Sequence, residues 1–134
     1  MRDLWDWALI AAWIDTEGSY IANASRSTYS VLITQKEKTP LIGICGFLRA
    51  QGIACTIRRK EGVSPADNSK KCHAYFLQTW GPEGLAKIIK NTEPYIRTKN
   101  KRRQIERCKR ELAAPRKSLE EKVIRARMLL GLAG

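Results

Sequence analysis

Eight consecutive apolar residues, Trp7 to Ile14, are followed at once by Asp15, Thr16, Glu17 and Gly18, and directly after the glycine the pattern turns strand-like. This is the longest apolar run in the chain, and it is far short of the ~20 residues that span a bilayer. Leu4, Ala8, Ala11 and Asp15 share one stripe at helical spacing, and Trp5, Leu9 and Trp13 share another. The spacing predicts a helix over 3–16 that stops at Gly18. Asp3 and Asp6 stand where a secretory signal would carry positive charge, and no small-residue cleavage pattern follows. The chain is therefore expected to be soluble and intracellular (cytoplasm, nucleoid or organelle), not secreted and not membrane-bound.

Carboxylates at the end of a helix are electrostatically poor, because the helix dipole is negative there. A second copy of Glu17 alongside the first would add like-charge repulsion. A divalent cation removes both penalties. Paired carboxylates at converging helix ends thus suggest a Mg²⁺ site, completed by water and phosphate oxygens. Asp15 is expected instead to hydrogen-bond local backbone at the helix end.

Beyond Gly18 the residues are β-branched, aromatic or small and polar over Ser19–Ser27 and Tyr29–Lys36, which predicts a hairpin with a short turn. Pro40 opens a second helix that stops at Gly52. Strand character returns over Ala54–Lys60 and Lys71–Trp80, with Gly62, Pro65, Asp67 and Asn68 as a loop between them. Pro82 opens a third helix, closed near Pro94. Helical patterns then cover about 98–112 and, after a break at Pro115, 118–132, where Ser118 and Glu121 form a capping-box signature. The expected fold class is α+β, in the order α-ββ-α-ββ-α, with extra basic C-terminal helices. One domain over 1–134 suits the length, its core at about 3–104 and its helical extension at about 105–134. The hydrophobic content of 43% excludes a disordered basic tail.

Cys45, Cys55, Cys72 and Cys108 show no close pairing, and His73 is the lone histidine, so a structural zinc site is not expected. Buried reduced thiols are the expectation, with Cys55 and Cys72 able to pair if their strands are neighbours.

The net charge is +12. Residues 1–96 hold 12 basic and 9 acidic side chains, a net of +3, whereas residues 97–134 hold 13 and 4, a net of +9. The C-terminal third is a candidate binder of polyanions. It lacks the Trp or Phe that a membrane helix would set opposite its basic face, which favours nucleic acid. Phosphate contacts are expected from Lys101, Arg102 and Arg103 and from Arg107, Lys109 and Arg110. On the strands, Asn23, Ser25, Ser27, Ser30 and Thr34 supply short polar side chains, and Thr56, Arg58 and Lys60 share an alternation that leaves Ile57 for the core. Such residues suit base edges in a major groove.

The segment Ile10-Ala11-Ala12-Trp13-Ile14-Asp15-Thr16-Glu17-Gly18 resembles the motif of the LAGLIDADG homing endonucleases. Asp15 and Gly18 match in register, Glu17 replaces the second Asp, Ala12 the usual Gly and Trp13 an aliphatic residue. Ile33-Thr34-Gln35-Lys36 resembles the family segment that carries an active-site Gln, and Pro94 to Lys101 the one that carries an active-site Lys. The resemblance covers most of residues 5–104, and the basic tail departs from it. It implies a saddle-shaped antiparallel sheet on double-stranded DNA and a Mg²⁺-dependent double-strand break. Glu17 with Gly18 would form the metal site, and Glu17, Gln35 and Lys99 the catalytic set. A single motif must act as a homodimer to cut two strands, with Leu4, Ala8, Ala11 and Ala12 at the interface and a near-palindromic target. The short free-standing chain suggests an intron-encoded protein. An RNA-splicing maturase, or a DNA-binding protein that has lost the chemistry, is the alternative on the same fold; the presence of Glu17, Gln35 and Lys99 together disfavours lost chemistry.

Overall fold

A computed structural model describes residues 5–64, 67–114 and 126–131, the side chains of 61–73 excepted. Helix α1 spans Trp7–Glu17, and Asp6 caps it by accepting from the Leu9 N–H at 2.8 Å. The helix therefore starts at a side-chain cap four residues later than the periodicity predicts. Gly18 ends α1 and begins β1 (Gly18–Asn23). A 3₁₀ turn over Ala24–Arg26 leads to β2 (Thr28–Gln35), then come α2 (Lys38–Ala50), β3 (Cys55–Ser64), β4 (Asp67–Thr79), α3 (Pro82–Thr92) and α4 (Lys99–Ala113). The order is the expected α-ββ-α-ββ-α with a basic helix after it. The second basic helix and the Ser118 capping box lie outside the described residues, apart from a helical turn at 126–129.

The four strands form one antiparallel sheet in the order β1-β2-β4-β3. Two strand boundaries differ from expectation. Gly62 sits within β3, opposite Cys72, and Asp67 and Asn68 sit within β4, so the expected loop is mostly ladder. Backbone pairing across a long hairpin outweighs the turn preference of those residues. Ser25 and Ser27 leave the sheet for the turn, where Asn23 Oδ1 accepts from Ser25 Oγ at 2.7 Å and from the Arg26 N–H at 3.3 Å.

Tyr20, Ala22, Val31, Ile33, Ile57 and Leu77 point to the face covered by α1, α2 and α3. There they meet Ile10, Ile14, Leu41, Ile44, Leu48, Leu85 and Ile88, all essentially fully buried. Three buried polar side chains on this side are hydrogen-bonded. Tyr20 Oη bonds Thr92 Oγ1 at 2.8 Å, and Thr92 Oγ1 donates to Ile88 O at 2.6 Å. Thr79 Oγ1 accepts from the Val31 N–H at 2.8 Å, one position beyond the last β2–β4 backbone pair. Helix α4 lies along β1, an edge strand, and buries Ile105 and Cys108 there. Among the described residues no helix is long and apolar enough to cross a membrane.

β3 and β4 are neighbours, yet Cys55 lies opposite Thr79 and Cys72 opposite Gly62. Seven residues along the strand at ~3.3 Å each separate them by roughly 23 Å, so they cannot pair. Cys55 instead meets Cys45 of α2, with the sulfurs 2.7 Å apart, both as free thiols. Burial, with the Cys45 hydrogen bond, pushes the Cys55 thiol well up, and burial pushes Cys108 up to about 11. These are inert, packed cysteines.

Candidate active site and open sheet face

Two close approaches build the end of α1. A Cβ on Gly18 would stand 2.8 Å from Ile14 Cα and 3.1 Å from Leu32 O, so only glycine lets the chain pass from helix to strand here. The register sets Gly18 opposite Ile33, which brings Gln35 at the end of β2 beside the last turn of α1. Glu17 and Gln35 consequently line one depression of about 400 Å³, with Leu9, Ala12, Trp13 and Thr16. Glu17 is exposed and has no hydrogen-bond or ion-pair partner among the described residues. A free carboxylate at the negative end of a helix dipole is a place that favours a cation. The donor type fits Mg²⁺, a hard cation that prefers oxygen. Among the described residues, however, no three His, Cys, Asp or Glu side chains lie together, and Gly18 itself is buried. Among the described residues, Glu17 is the one carboxylate lining this depression.

Asp15 does hydrogen-bond backbone, but that of a distant segment rather than the local backbone expected of it. Its Oδ2 accepts from the Arg97 N–H at 2.9 Å, and its Oδ1 accepts from the Thr98 N–H at 3.2 Å and from Thr98 Oγ1 at 2.7 Å. Thr98 Oγ1 in turn caps α4 by accepting from the Lys101 N–H. Partial burial pushes the Asp15 carboxyl up, but the bonds from Thr98 and Arg97, with the charge of Lys101, outweigh it and hold it below its ordinary value. This strap fixes the start of α4, and with it Lys99, at the same end of α1 as Glu17. Lys99 is exposed at the first position of α4 and is not among the residues lining the Glu17–Gln35 depression. On the other flank of α1 a second depression, about 600 Å³, is lined by Ala8, Ala12, Asp15, Thr16, Tyr95 and Arg97 among others.

The exposed stripe of α1 is Ala8, Leu9, Ala12 and Thr16, between the half-buried Trp5 and Trp13. Ala11 is fully buried in the chain's own core, with Ile10 and Ile14, so it cannot meet a second copy. Helix α1 is apolar almost all the way round, which hides the core-facing stripe from a count of apolar spacings. Leu4 lies outside the described residues.

The face of the sheet opposite the helices carries Ser19, Ile21 and Asn23 of β1, Thr28, Leu32 and Thr34 of β2, Thr56, Arg58 and Lys60 of β3, and Phe76 and Gln78 of β4. Of the expected base readers, Asn23, Thr34, Thr56, Arg58 and Lys60 are on this open face. Ser25 and Ser27 are at the turn beyond its end, and Ser30, although on this side by register, is only 2% exposed. Phe76 and Gln78 escaped sequence reading because β4 has aromatics on both alternations; pairing with β2 decides which one faces out.

Helix α4 divides its basic residues. Arg102 donates to Ile96 O at 3.0 Å, and Lys109 pairs with Glu93 at 2.7 Å, the contact that raises its pKa. Arg103, Arg107 and Arg110 are exposed at helical spacing, and Arg107 borders the open face, lining a groove with Ser19, Ile21, Asn23 and Leu32. Lys101 is half-buried.

No protein-family model matches the sequence, and no curated protein does. Among solved structures, the chain is similar to the crystal structure of a homing endonuclease, I-TnaI, with a TM-score of 0.52 and 15% identity over 83% of this chain and 73% of that one. The likeness is one of fold: the four-stranded antiparallel sheet with helices on one side, as described above, is that of a homing-endonuclease neighbour.

Proposed function

We propose that this protein is a site-specific DNA endonuclease that acts as a homodimer and cuts both strands by metal-dependent phosphodiester hydrolysis. The observation that carries the proposal is that Glu17, exposed and without a partner among the described residues, shares one depression with Gln35, directly beside the exposed Ala8–Ala12 stripe of α1. Small side chains on that stripe allow two helices to approach closely. A two-fold axis there would bring two copies of Glu17 together and supply a second carboxylate, which the described residues of one chain do not add to this depression. A divalent cation bound there would polarise the phosphate and lower the pKa of a water. Glu17 holds the charge that retains the ion, and Gln35 orients water by its amide. Lys99 offsets negative charge on the phosphate. Asn23, Thr34, Thr56, Arg58 and Lys60 face the bases, and the exposed arginines of α4 the phosphates.

The eight residues of β2 at ~3.3 Å each span roughly 26 Å, about eight base pairs at 3.4 Å. Two subunits then cover on the order of 16 base pairs in a near-palindrome.

The test is cleavage of a duplex pool, recovered by binding to the full chain, with and without Mg²⁺. Wild type should cut both strands only with the metal. Glu17→Gln should bind the same duplexes and leave them intact. Cleavage by Glu17→Gln within about tenfold of wild type would remove Glu17 from the reaction. Tight, selective binding by wild type with no cleavage in Mg²⁺ or Mn²⁺ would make the chain a binding module.

A further inference from the structure

The open sheet face is polar at its rim and apolar in its middle. Ser19, Leu32, Gln78 and Thr56 form one row across the four strands; Thr34, Phe76 and Arg58 form the row on one side of it, and Ile21 and Ser30 the row on the other. Ile21, Leu32 and Phe76 therefore lie on a diagonal across β1, β2 and β4. With Thr34, Lys60 and Gln78 they line a depression of about 530 Å³. Ile21 is 36% exposed, and Leu32 and Phe76 are half-buried. Among the described positions of this face there is no Asp or Glu, while Arg58 and Lys60 are exposed on it.

Three apolar side chains ringed by hydroxyls, an amide and cations suit a partner that is anionic overall yet presents isolated methyl groups. The major groove of duplex DNA does so wherever it carries thymine, whose C5-methyl projects between flanking phosphates. Gln78 neighbours Leu32 in the central row. A Gln amide can donate to adenine N7 and accept from its N6 amine, on the same groove edge as the methyl of the paired thymine.

We propose that Ile21, Leu32 and Phe76 form a receptor for thymine methyl groups and Gln78 a receptor for adenine, so that the middle of each half-site is read as A·T pairs. This rests on the DNA-cleaving reading above and adds base identity to it. The diagonal covers two interstrand steps of ~4.8 Å and two two-residue steps of ~6.6 Å. Its length of roughly 16 Å matches about five base pairs.

The experiment selects duplexes from a randomised pool by binding to the full chain without Mg²⁺, and then replaces thymine by uracil in the enriched sites, which removes only the methyl. A·T pairs should be enriched in the middle of each half-site. Each uracil there should weaken wild-type binding about fourfold, the worth of one buried methyl-sized group. Ile21→Ala and Phe76→Ala should bind thymine and uracil duplexes equally while still binding DNA; Ile21 is exposed on the open face and outside the core, so its truncation spares the core. Enriched sites without A·T preference there, or equal wild-type affinity for thymine and uracil, would overturn the receptor and leave DNA recognition standing. Failure to enrich or bind any duplex would overturn both. Self-association relieved by Phe76→Ala would assign the patch to protein contact and overturn the receptor.

Discussion

Asp15 and Glu17 stand two residues apart at the end of one helix and differ in everything but charge. Asp15 is spent on three hydrogen bonds to Arg97 and Thr98, and Glu17 is left without a described partner. The strap makes a pH prediction. A carboxyl held below its ordinary value of 3.8 contributes its full stability above that value and loses it as the pH falls through the lower, folded one. Asp15→Asn keeps the shape but replaces two acceptor oxygens with one acceptor and one donor, which faces N–H groups. It should cost about 1–2 kcal/mol at pH 7, and the difference from wild type should shrink in urea melts as the pH falls below 3.8. Because Thr98 sets the first turn of α4, the variant should also slow cleavage more than it weakens DNA binding. Loss of both in equal measure would make the strap purely structural.

At the scale of elements, α4 solves the problem of an unpaired edge strand. Gln104 Oε1 accepts from the Tyr20 N–H at 3.0 Å, and Glu111 Oε2 accepts from the Ala24 N–H at 3.2 Å. Without them the outer amide of β1 at Tyr20 would be open to another strand, and the Ala24 amide of the turn after it would lose its partner. The double variant Gln104→Ala with Glu111→Ala should leave the core intact but speed amide exchange at Tyr20 and Ala24 by tenfold or more, at a cost of about 1–2 kcal/mol. Unchanged exchange at these two amides would mean that burial, not the helix side chains, protects them. The same helix makes a second, independent prediction. Arg107 borders the open face and Lys109 is held by Glu93. Arg107→Ala should therefore reduce the salt slope of DNA binding by ~0.9, and Lys109→Ala should hardly change it. Equal effects would show that the ion pair opens on DNA.

For the whole molecule, the exposed stripe of α1 is the surface on which the proposed homodimer rests. Ala8 and Ala12 are exposed while Ala11 is buried, so a second copy would meet the chain through Ala8, Ala12 and their neighbours Leu9 and Thr16. Ala12→Arg puts a long charged side chain where two helices would touch, and Ala12 is not part of the chain's own core. Sedimentation should give a dimer for wild type and a monomer for this variant, which should nick neither strand. A wild-type monomer, both free and on DNA, would end the homodimer reading.

Sequence alone carried the order of elements, because each depends on local chemistry: Gly18 and Gly52 as stops and Pro82 as a helix start, although the caps Asp6 and Thr98 came from the structure. It also placed Glu17 at a helix end, Gln35 at a strand end, and Asp15 in a hydrogen-bonding role. It was blind where two alternations were equally apolar. Only packing assigned Ala11 to the core and Ala12 to the surface of α1, and only pairing with β2 turned Phe76 and Gln78 outward and Leu77 inward. The partners of Asp15 lie more than 80 residues away, and those of Cys55 across a helix–strand contact. Spacing along a chain sets which residues share a face of one element. Which face is buried, and which distant groups meet there, is a property of the assembled layers, and no local pattern contains it.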